Sequence, residues 1–364
     1  MKNKFEGFEK AIHSLEEGEY HIYFFCPDFE KPSGGVGLLY DQVKILNDLG
    51  FNAIVLHDKE GFIPEWLEDR KENIPIKYLS TGDLNLKVED FIFVPEGMPN
   101  IVENLRKQNV SSKIIFFCQN WYYVLNALSP GMTWINLGVK DCLSVSRSQS
   151  EYLRMIMPYL RIKEVVGSIN FDRFYVTKQE FKKPVIGFLP SRDGGLKSTN
   201  VIKTFYAMFP QFRWIQFRQL SGLGNDEFAE AMRECAFYCH FDEASSWGTA
   251  PIEAFRSGCL VGGWDGVGGI EYMRPVRDDN EIGNMWLVPN GDILKLTFAL
   301  GGMIEAWIAD EVPEFVWKNM EIASSNYTAE AERDSVQRAH NEYRDERVKE
   351  LIEILEKAKE IANE

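Results

Sequence analysis

The sequence predicts an α/β protein of two doubly wound halves, each a parallel sheet flanked by helices. Three observations carry this expectation. Short apolar runs rich in β-branched and aromatic residues alternate with helical patterns, the signature of parallel sheets with crossover helices. The alternation pauses at a polar loop, Ser168–Lys183, and then restarts. A chain of 364 residues suits two domains at roughly 150 residues each.

In the first half, strands are expected at His21–Cys26, Ala53–His57, Ile76–Leu79, Phe91–Val94, Lys113–Cys118, Leu143–Val145 and Glu164–Val166. Between the first two, Leu39, Val43, Leu46 and Leu49 fall at helical spacing, and Gly50 supplies a natural residue to end that helix. In the second half, strands are expected at Val185–Leu189, Phe212–Phe217, Ala236–Phe241, Leu260–Val261 and Met285–Val288. Helices are expected at Ser198–Met208, Asp226–Glu234, Ala250–Ser257 and Asp292–Ala306. The tail from Thr328 is charged and rich in helix formers, with Val348, Leu351, Ile352 and Leu355 on a narrow stripe. That stripe suits a homodimer contact.

The composition sets limits on function. Hydrophobic residues are 45 % and charged residues 26 %, which excludes wholesale disorder. Lys plus Arg number 40 against 55 for Asp plus Glu, a formal charge of −15. Such a field repels polyanions and disfavours a general DNA binder. No apolar run approaches the length of a membrane span, and the first twenty residues lack a secretory core. The 6 Cys form no C-x-x-C pair. Cys235, Cys239 and His240 suggest a metal, but strand periodicity sends Cys239 and His240 to opposite faces, so buried thiols are expected. The expected setting is a reducing cytoplasm, with peripheral membrane attachment allowed.

Three segments carry chemistry. Pro32-Ser33-Gly34-Gly35-Val36-Gly37 follows a strand and opens a helix, where glycine permits close approach and unpaired N–H groups face an anion. Gly35 and Gly37 also begin a dinucleotide fingerprint, with Asp58 placed as a ribose acid, although Tyr40 stands at the third glycine. An NAD-dependent oxidoreductase is therefore one alternative. The second segment is Pro190-Ser191-Arg192-Asp193-Gly194-Gly195-Leu196-Lys197. Two cations at a helix N-terminus oppose the dipole, so they call for a diphosphate, or else for pairing with Asp193. In the third, Glu243 to Glu253, a Trp247-Gly248 turn leads into a helix with Glu253 near its start, able to accept two ribose hydroxyls. After the next strand comes the glycine-rich loop from Gly262 to Gly269.

Taken together, the Gly-Gly loop, the R-x4-K pair, the P-x-E-A turn with S-G behind it and the G-V-G-G loop resemble GT-B glycosyltransferases of the family-four type. Gly167–Phe174 resembles that family's interdomain stretch. The resemblance covers about Tyr20 to Tyr343. It implies two Rossmann-like domains facing each other across a cleft: 1–172 on the acceptor side, 173–325 on the donor side, and a helical tail at 326–364 that packs back on the first domain as an alternative to the homodimer contact. It implies transfer of a sugar from a nucleoside diphosphate to an acceptor hydroxyl, with retention, without a metal and with no cofactor beyond the nucleotide-sugar co-substrate. Arg192 and Lys197 match the pair that grips the diphosphate and stabilises the leaving group. Glu253 matches the ribose acid, and Gly34 and Gly35 match the loop near donor phosphate and acceptor. Ser245, Ser246, Gly248 and Thr249 occupy the remaining donor positions.

The chain also departs from the pattern. Ser245 stands where the family carries the first Glu of E-x7-E, with Glu243 two residues earlier. That departure raises a second alternative, a sugar-nucleotide binding protein without turnover. No match is found for the amino-domain His, whose place is taken by Gln119-Asn120-Trp121-Tyr122-Tyr123. Gln119 and Asn120 are candidates to hydrogen-bond an acceptor and Trp121 to stack on it, with Glu96 after the preceding strand as a further candidate. A glycan or lipid-linked sugar is the expected acceptor. A hydroxymethylated DNA base is the third alternative, motivated by the basic run Arg147, Arg154, Arg161 and Lys163.

Overall fold

The computed structural model describes residues 5–31, 33–82, 84–178, 182–277 and 281–363. Pro32 of the first glycine motif, and residues 179–181 of the loop Ser168–Lys183, lie outside the described residues. In chain order the first elements are α1 (Glu6–Glu16), β1 (His21–Phe25), α2 (Gly34–Asp48), β2 (Asn52–His57), β3 (Ile76–Tyr78), β4 (Phe91–Pro95) and α3 (Pro99–Lys107). There follow β5 (Lys113–Cys118), α4 (Trp121–Asn126), β6 (Asp141–Ser144), α5 (Arg147–Ile156) and β7 (Arg161–Glu164). The later elements are β8 (Lys183–Phe188), α6 (Leu196–Met208), β9 (Gln216–Gln219), α7 (Asn225–Glu234), β10 (Cys235–His240), α8 (Thr249–Arg256) and β11 (Leu260–Gly263). The chain closes with β12 (Trp286–Leu287), α9 (Ile293–Ile308), α10 (Glu314–Ser325) and α11 (Ala329–Asn363).

Two compact units result. The first comprises Met1–Val145, Ser150–Val165 and Arg333–Glu364; the second comprises Ser146–Gln149 and Val166–Glu332. The first holds a 7-stranded sheet in the order β3-β2-β1-β4-β5-β6-β7, and the second a 5-stranded sheet in the order β12-β11-β10-β8-β9. All strand pairs within them are parallel. Parallel strands covered on both faces read as continuous apolar runs, which is why β1, β4, β5 and β10 are legible in the sequence. In each sheet the chain reverses its direction of growth once, between β1 and β4 in the first unit and between β8 and β10 in the second. Loops leaving the carboxyl ends of strands at such a switch point are where open α/β sheets hold ligands.

The first sheet has aromatic packing on both sides. Phe116 stacks on the fully buried Trp134 at 4.3 Å, and Phe24 stacks on Phe93 at 4.6 Å. Phe93 meets two side chains of α11, His340 at 5.0 Å and Tyr343 at 5.9 Å. Further along α11, Arg347 donates to the carbonyls of Val88 and Ser111, each at 2.9 Å.

Two of the four edge strands, β7 and β9, are displaced from expectation. The strand expected at Glu164–Val166 runs instead over Arg161–Glu164. It is a charged edge whose cations are bound within the unit: Arg161 to Asp141 and Glu350, each at 2.8 Å, and Lys163 to Glu346 at 2.7 Å. The strand expected at Phe212–Phe217 begins only at Gln216, because Pro210–Phe212 forms a 3-10 turn that buries Phe212. Edge strands pair with a neighbour on one side only and tolerate charge, so apolar content does not mark them. α1, α3, α4, α5 and α10 are additions to the expected helices. With Arg154 on Glu164 at 3.0 Å, three members of the basic run are engaged by carboxylates and do not form an open row for phosphates.

Candidate active site

In the second unit, the switch-point loops are those after β8 and β10, and they contain most of the donor-side candidates. After β8 the backbone turns through Gly194 and Gly195, both in the left-handed region at φ 76° and 85°, and enters α6. Asp193 closes the turn. Its carboxylate accepts from Ser191 Oγ at 2.5 Å and from the Lys197 N–H at 3.3 Å. Its hydrogen bonds go to the turn itself, and the Ser191 hydrogen bond, helped by the N–H groups and the charge of Lys197, holds its carboxyl below the ordinary value.

The cations bind the loop after β10 instead. Arg192 makes a two-pronged contact with Asp242, Nε to Oδ1 at 2.8 Å and Nη2 to Oδ2 at 2.9 Å. Lys197 Nζ bonds Glu243. Burial pushes the Asp242 carboxyl up, but the Arg192 hydrogen bonds and charge outweigh it and hold the group below its ordinary value. This adjacent acidic pair was missed in the sequence. Its signal was present, since charges of opposite sign end two neighbouring strands. The pair fixes the positions of a guanidinium and an ammonium at the carboxyl ends of two inner strands, the preorganisation that electrostatic catalysis requires.

The turn after Glu243 leads through Gly248, at φ 77°, into α8. A side chain at Gly248 would approach the Tyr272 hydroxyl, which donates to the Gly248 carbonyl at 2.6 Å. Thr249 is exposed at the first position of α8, and Glu253 is half-buried in its second turn. Tyr238, raised by burial, is raised further by the charge of Glu253. Ser245 and Ser246 are buried, and the Ser246 carbonyl accepts from Ser146 Oγ at 2.8 Å.

The glycine-rich loop folds onto this turn. Ser245 bridges Val267, and the Gly268 N–H donates to the Ser245 carbonyl at 3.2 Å. Side chains at Gly266 and Gly268 would overlap Ser245 Oγ and the Ser246 carbonyl, respectively. Between them Val267 holds φ 70°, a strained value for a β-branched residue, pinned by Asp265 accepting its N–H at 2.7 Å. Gly268→Ala is therefore expected to displace the loop and destabilise the second unit by about 1–3 kcal/mol, as overpacking does. Chemical denaturation of the variant checks this; an unchanged midpoint would contradict the packing described.

In the first unit, Gly34 and Gly35 open α2 after β1. A side chain on Gly35 would meet the Gln119 side-chain oxygen, which would have to turn aside, so the two loops approach closely here. Gln119 and Asn120 leave the end of β5. Asn120 caps α4, its Oδ1 accepting from the Tyr122 N–H at 2.9 Å. Glu96 lies beneath both. Its oxygens accept from the N–H groups of Gln119 at 3.1 Å and Asn120 at 2.8 Å. It is buried, and that burial pushes its pKa up to about 7 against the pull of those N–H groups. Trp121 meets Tyr122 and Tyr152 edge-on at 6.0 and 5.4 Å. The first unit thus brings Gly35, Gln119, Asn120 and Glu96 together.

One hydrogen-bonded chain in this unit was also missed. Tyr40 Oη lies 2.8 Å from His57 Nε2, and His57 Nδ1 lies 2.8 Å from Asp28 Oδ1. Asp28 Oδ2 accepts from the Lys59 N–H at 2.9 Å, tying the loop after β1 to the end of β2. Tyr40 therefore fills the helix–sheet contact that a dinucleotide fingerprint keeps thin with its third glycine. Asp58, the expected ribose acid, contributes its backbone N–H to Asp28 at 3.3 Å. All six Cys are buried thiols. Among the described residues no group of three or more His, Cys, Asp or Glu is arranged to hold a metal, and no helix is long and apolar enough to cross a membrane.

No family model matches the chain. It is 25 % identical over 258 residues to an alpha-1,6-glucosyltransferase of Actinobacillus pleuropneumoniae serotype 7 (strain AP76), covering 71 % of this chain and 76 % of that protein. Among solved structures it is similar to a glycosyltransferase from Rickettsia africae ESF-5, with a TM-score of 0.61 at 14 % identity, over 91 % of this chain and 99 % of that one. It is similar also to the catalytic domain of starch synthase IV from Arabidopsis thaliana bound to ADP and acarbose, with a TM-score of 0.57 at 11 % identity, over 91 % and 99 %. Two parallel sheets of this order, the sequence of strand-end motifs and the likeness to a glucosyltransferase lead to one conclusion: the chain is a glycosyltransferase of the GT-B fold.

Proposed function

We propose that the chain transfers a hexosyl group, glucosyl first among them, from a nucleoside diphosphate sugar to a glycan hydroxyl, with retention and without a catalytic metal. The observation that carries the reading is the Arg192–Lys197 pair, held by Asp242 and Glu243 at the switch point of the second sheet. Breaking a sugar–phosphate bond passes through an oxocarbenium-like state while charge builds on the departing diphosphate. Fixed cations aimed at that charge lower the barrier and supply the positive charge a metal would otherwise bring. On this reading Arg192 and Lys197 stabilise the leaving group, and Glu253 holds the ribose hydroxyls. Ser246, Gly248 and Thr249 shape the turn around the donor. Ser245 stands beside the sugar, and Gly34 and Gly35 offer backbone N–H groups. The choice of a glucosyl group rests on the glucosyltransferase of 25 % identity, and the choice of a nucleoside diphosphate agrees with the ADP of the starch synthase neighbour.

The test is a thermal-shift screen of UDP, GDP, ADP, dTDP and NAD against the chain and its Arg192→Ala variant. At one hundred times Kd a ligand stabilises by about 2.7 kcal/mol, a shift of a few degrees. The reading expects one or more nucleoside diphosphates to shift the wild type and not the variant. A shift with NAD alone would overturn it.

A further inference from the structure

A second surface of the first unit bears on what receives the sugar, and its interpretation rests on the transferase reading above. From Ile114 to Val139 the chain carries no Asp, Glu, Lys, Arg or His, although charged residues are 26 % of the whole and the net charge is −15. The first part of this stretch is β5 in the core, where apolar residues are expected. The rest, α4 and the segment that follows it, reaches solvent. There Tyr122 is 49 % exposed, Tyr123 41 % and Leu125 41 %. Tyr122 and Tyr123 stand edge-to-face at 5.5 Å, and Trp121 links them to Tyr152 of α5. One turn beyond Tyr152, Met155 is 75 % exposed on the same helix. Non-ionic polar groups are interspersed with the rings. Asn126, for example, donates to the Tyr122 carbonyl at 2.9 Å.

Large exposed aromatics grouped in one place mark an interaction surface. Their setting narrows the partner. A surface for nucleic acid or acidic lipid would carry cations, and one for a basic peptide would carry carboxylates; this one has neither in α4 or the segment after it, and the adjoining turn of α5 carries one of each sign, Glu151 and Arg154, with Arg154 held by Glu164. A saccharide chain offers C–H faces that pack on rings and hydroxyls that bond to amides, and it needs no charge from its partner. The surface is also continuous in sequence with Asn120 and with Gln119, whose side-chain oxygen stands beside Gly35. We propose that α4 and the adjacent turn of α5 form an extended acceptor surface for an uncharged oligosaccharide, with Tyr122 and Tyr123 stacking on sugars beyond the one that is glycosylated.

The test titrates the full chain with isomalto-, malto- and cello-oligosaccharides of one to seven residues, read by intrinsic fluorescence. The same samples are screened for a nucleoside-diphosphate thermal shift. Affinity in at least one series should rise with chain length, and Tyr122→Ala/Tyr123→Ala should weaken the longest member about tenfold while the diphosphate shift persists. Affinity independent of length in every series, or unchanged in the double variant, would overturn the proposal. So would sedimentation with phosphatidylethanolamine–phosphatidylglycerol vesicles that is lost in the double variant, because the face would then belong to a membrane. Length-dependent binding without any diphosphate shift would uphold the surface and overturn the donor assignment.

Discussion

Arg192→Ala is expected to lower sugar transfer by about 10²–10³-fold, with little loss of stability. The large effect follows from position: a donor aimed at charge that appears only in the transition state contributes roughly 3 kcal/mol to the barrier. The small one follows from exposure. Arg192 and Asp242 form a two-pronged pair, but the arginine side chain is 46 % exposed, so solvent screens the pair to at most about 1 kcal/mol of folding energy. Arg192→Lys should recover part of the rate, since an ammonium supplies charge without the planar fork. Steady-state kinetics beside a denaturation curve checks both halves. A variant that lost stability and activity in proportion would mark Arg192 as a structural residue.

The second large effect is a pH dependence built from opposed groups. His240 and His340 are buried and neutral; burial lowers them to about 4 and about 3. In the unfolded chain each takes a proton near pH 6.5, so the unfolded state binds more protons and stability falls as pH drops below that value. Each costs about 2 kcal/mol between pH 7 and pH 5. His57 is lowered by burial as well and acts in the same direction. Glu96 acts in the other. Its folded pKa of about 7 exceeds its unfolded value, so its ionisation opposes folding, and acid relieves this by about 2 kcal/mol over the same interval. The histidines prevail, and the wild type should lose about 2 kcal/mol between pH 7 and pH 5. Glu96→Gln removes the compensating group, so its loss over the same interval should be about 4 kcal/mol. Urea denaturation at the two pH values decides it, and equal slopes would show that Glu96 does not titrate in this range.

These two results draw on features of unequal legibility. The inner strands were plain in the sequence because β1, β4, β5 and β10 are covered on both faces and leave apolar residues no alternative. The edges β7 and β9 were not, because one is charged and the other is preceded by a proline turn. The loops around Gly34, Arg192 and Gly248 stood out through glycines and cations placed directly after strands. Their partners did not. Asp242 and Glu243 lie about fifty residues from Arg192 and Lys197, and only the pairing of β8 with β10 brings them together. The same holds for Asp28 with His57 and for Glu96 beneath Gln119. Each is a contact between ends of strands that neighbour one another in the sheet, invisible until strand order is known.

If the two cations serve the departure of a nucleoside diphosphate, removing one of them must slow that departure. The most direct measurement is the initial rate of diphosphate release from UDP-, ADP- and GDP-glucose, with and without an isomalto-oligosaccharide, in the wild type and in Arg192→Ala. Release of the nucleoside diphosphate is expected from one donor, faster with acceptor present and slower by about 10²–10³-fold in the variant. A donor that binds tightly yet releases no diphosphate under any condition would contradict it, and would make Ser245 the mark of a protein that holds a sugar nucleotide without transferring it.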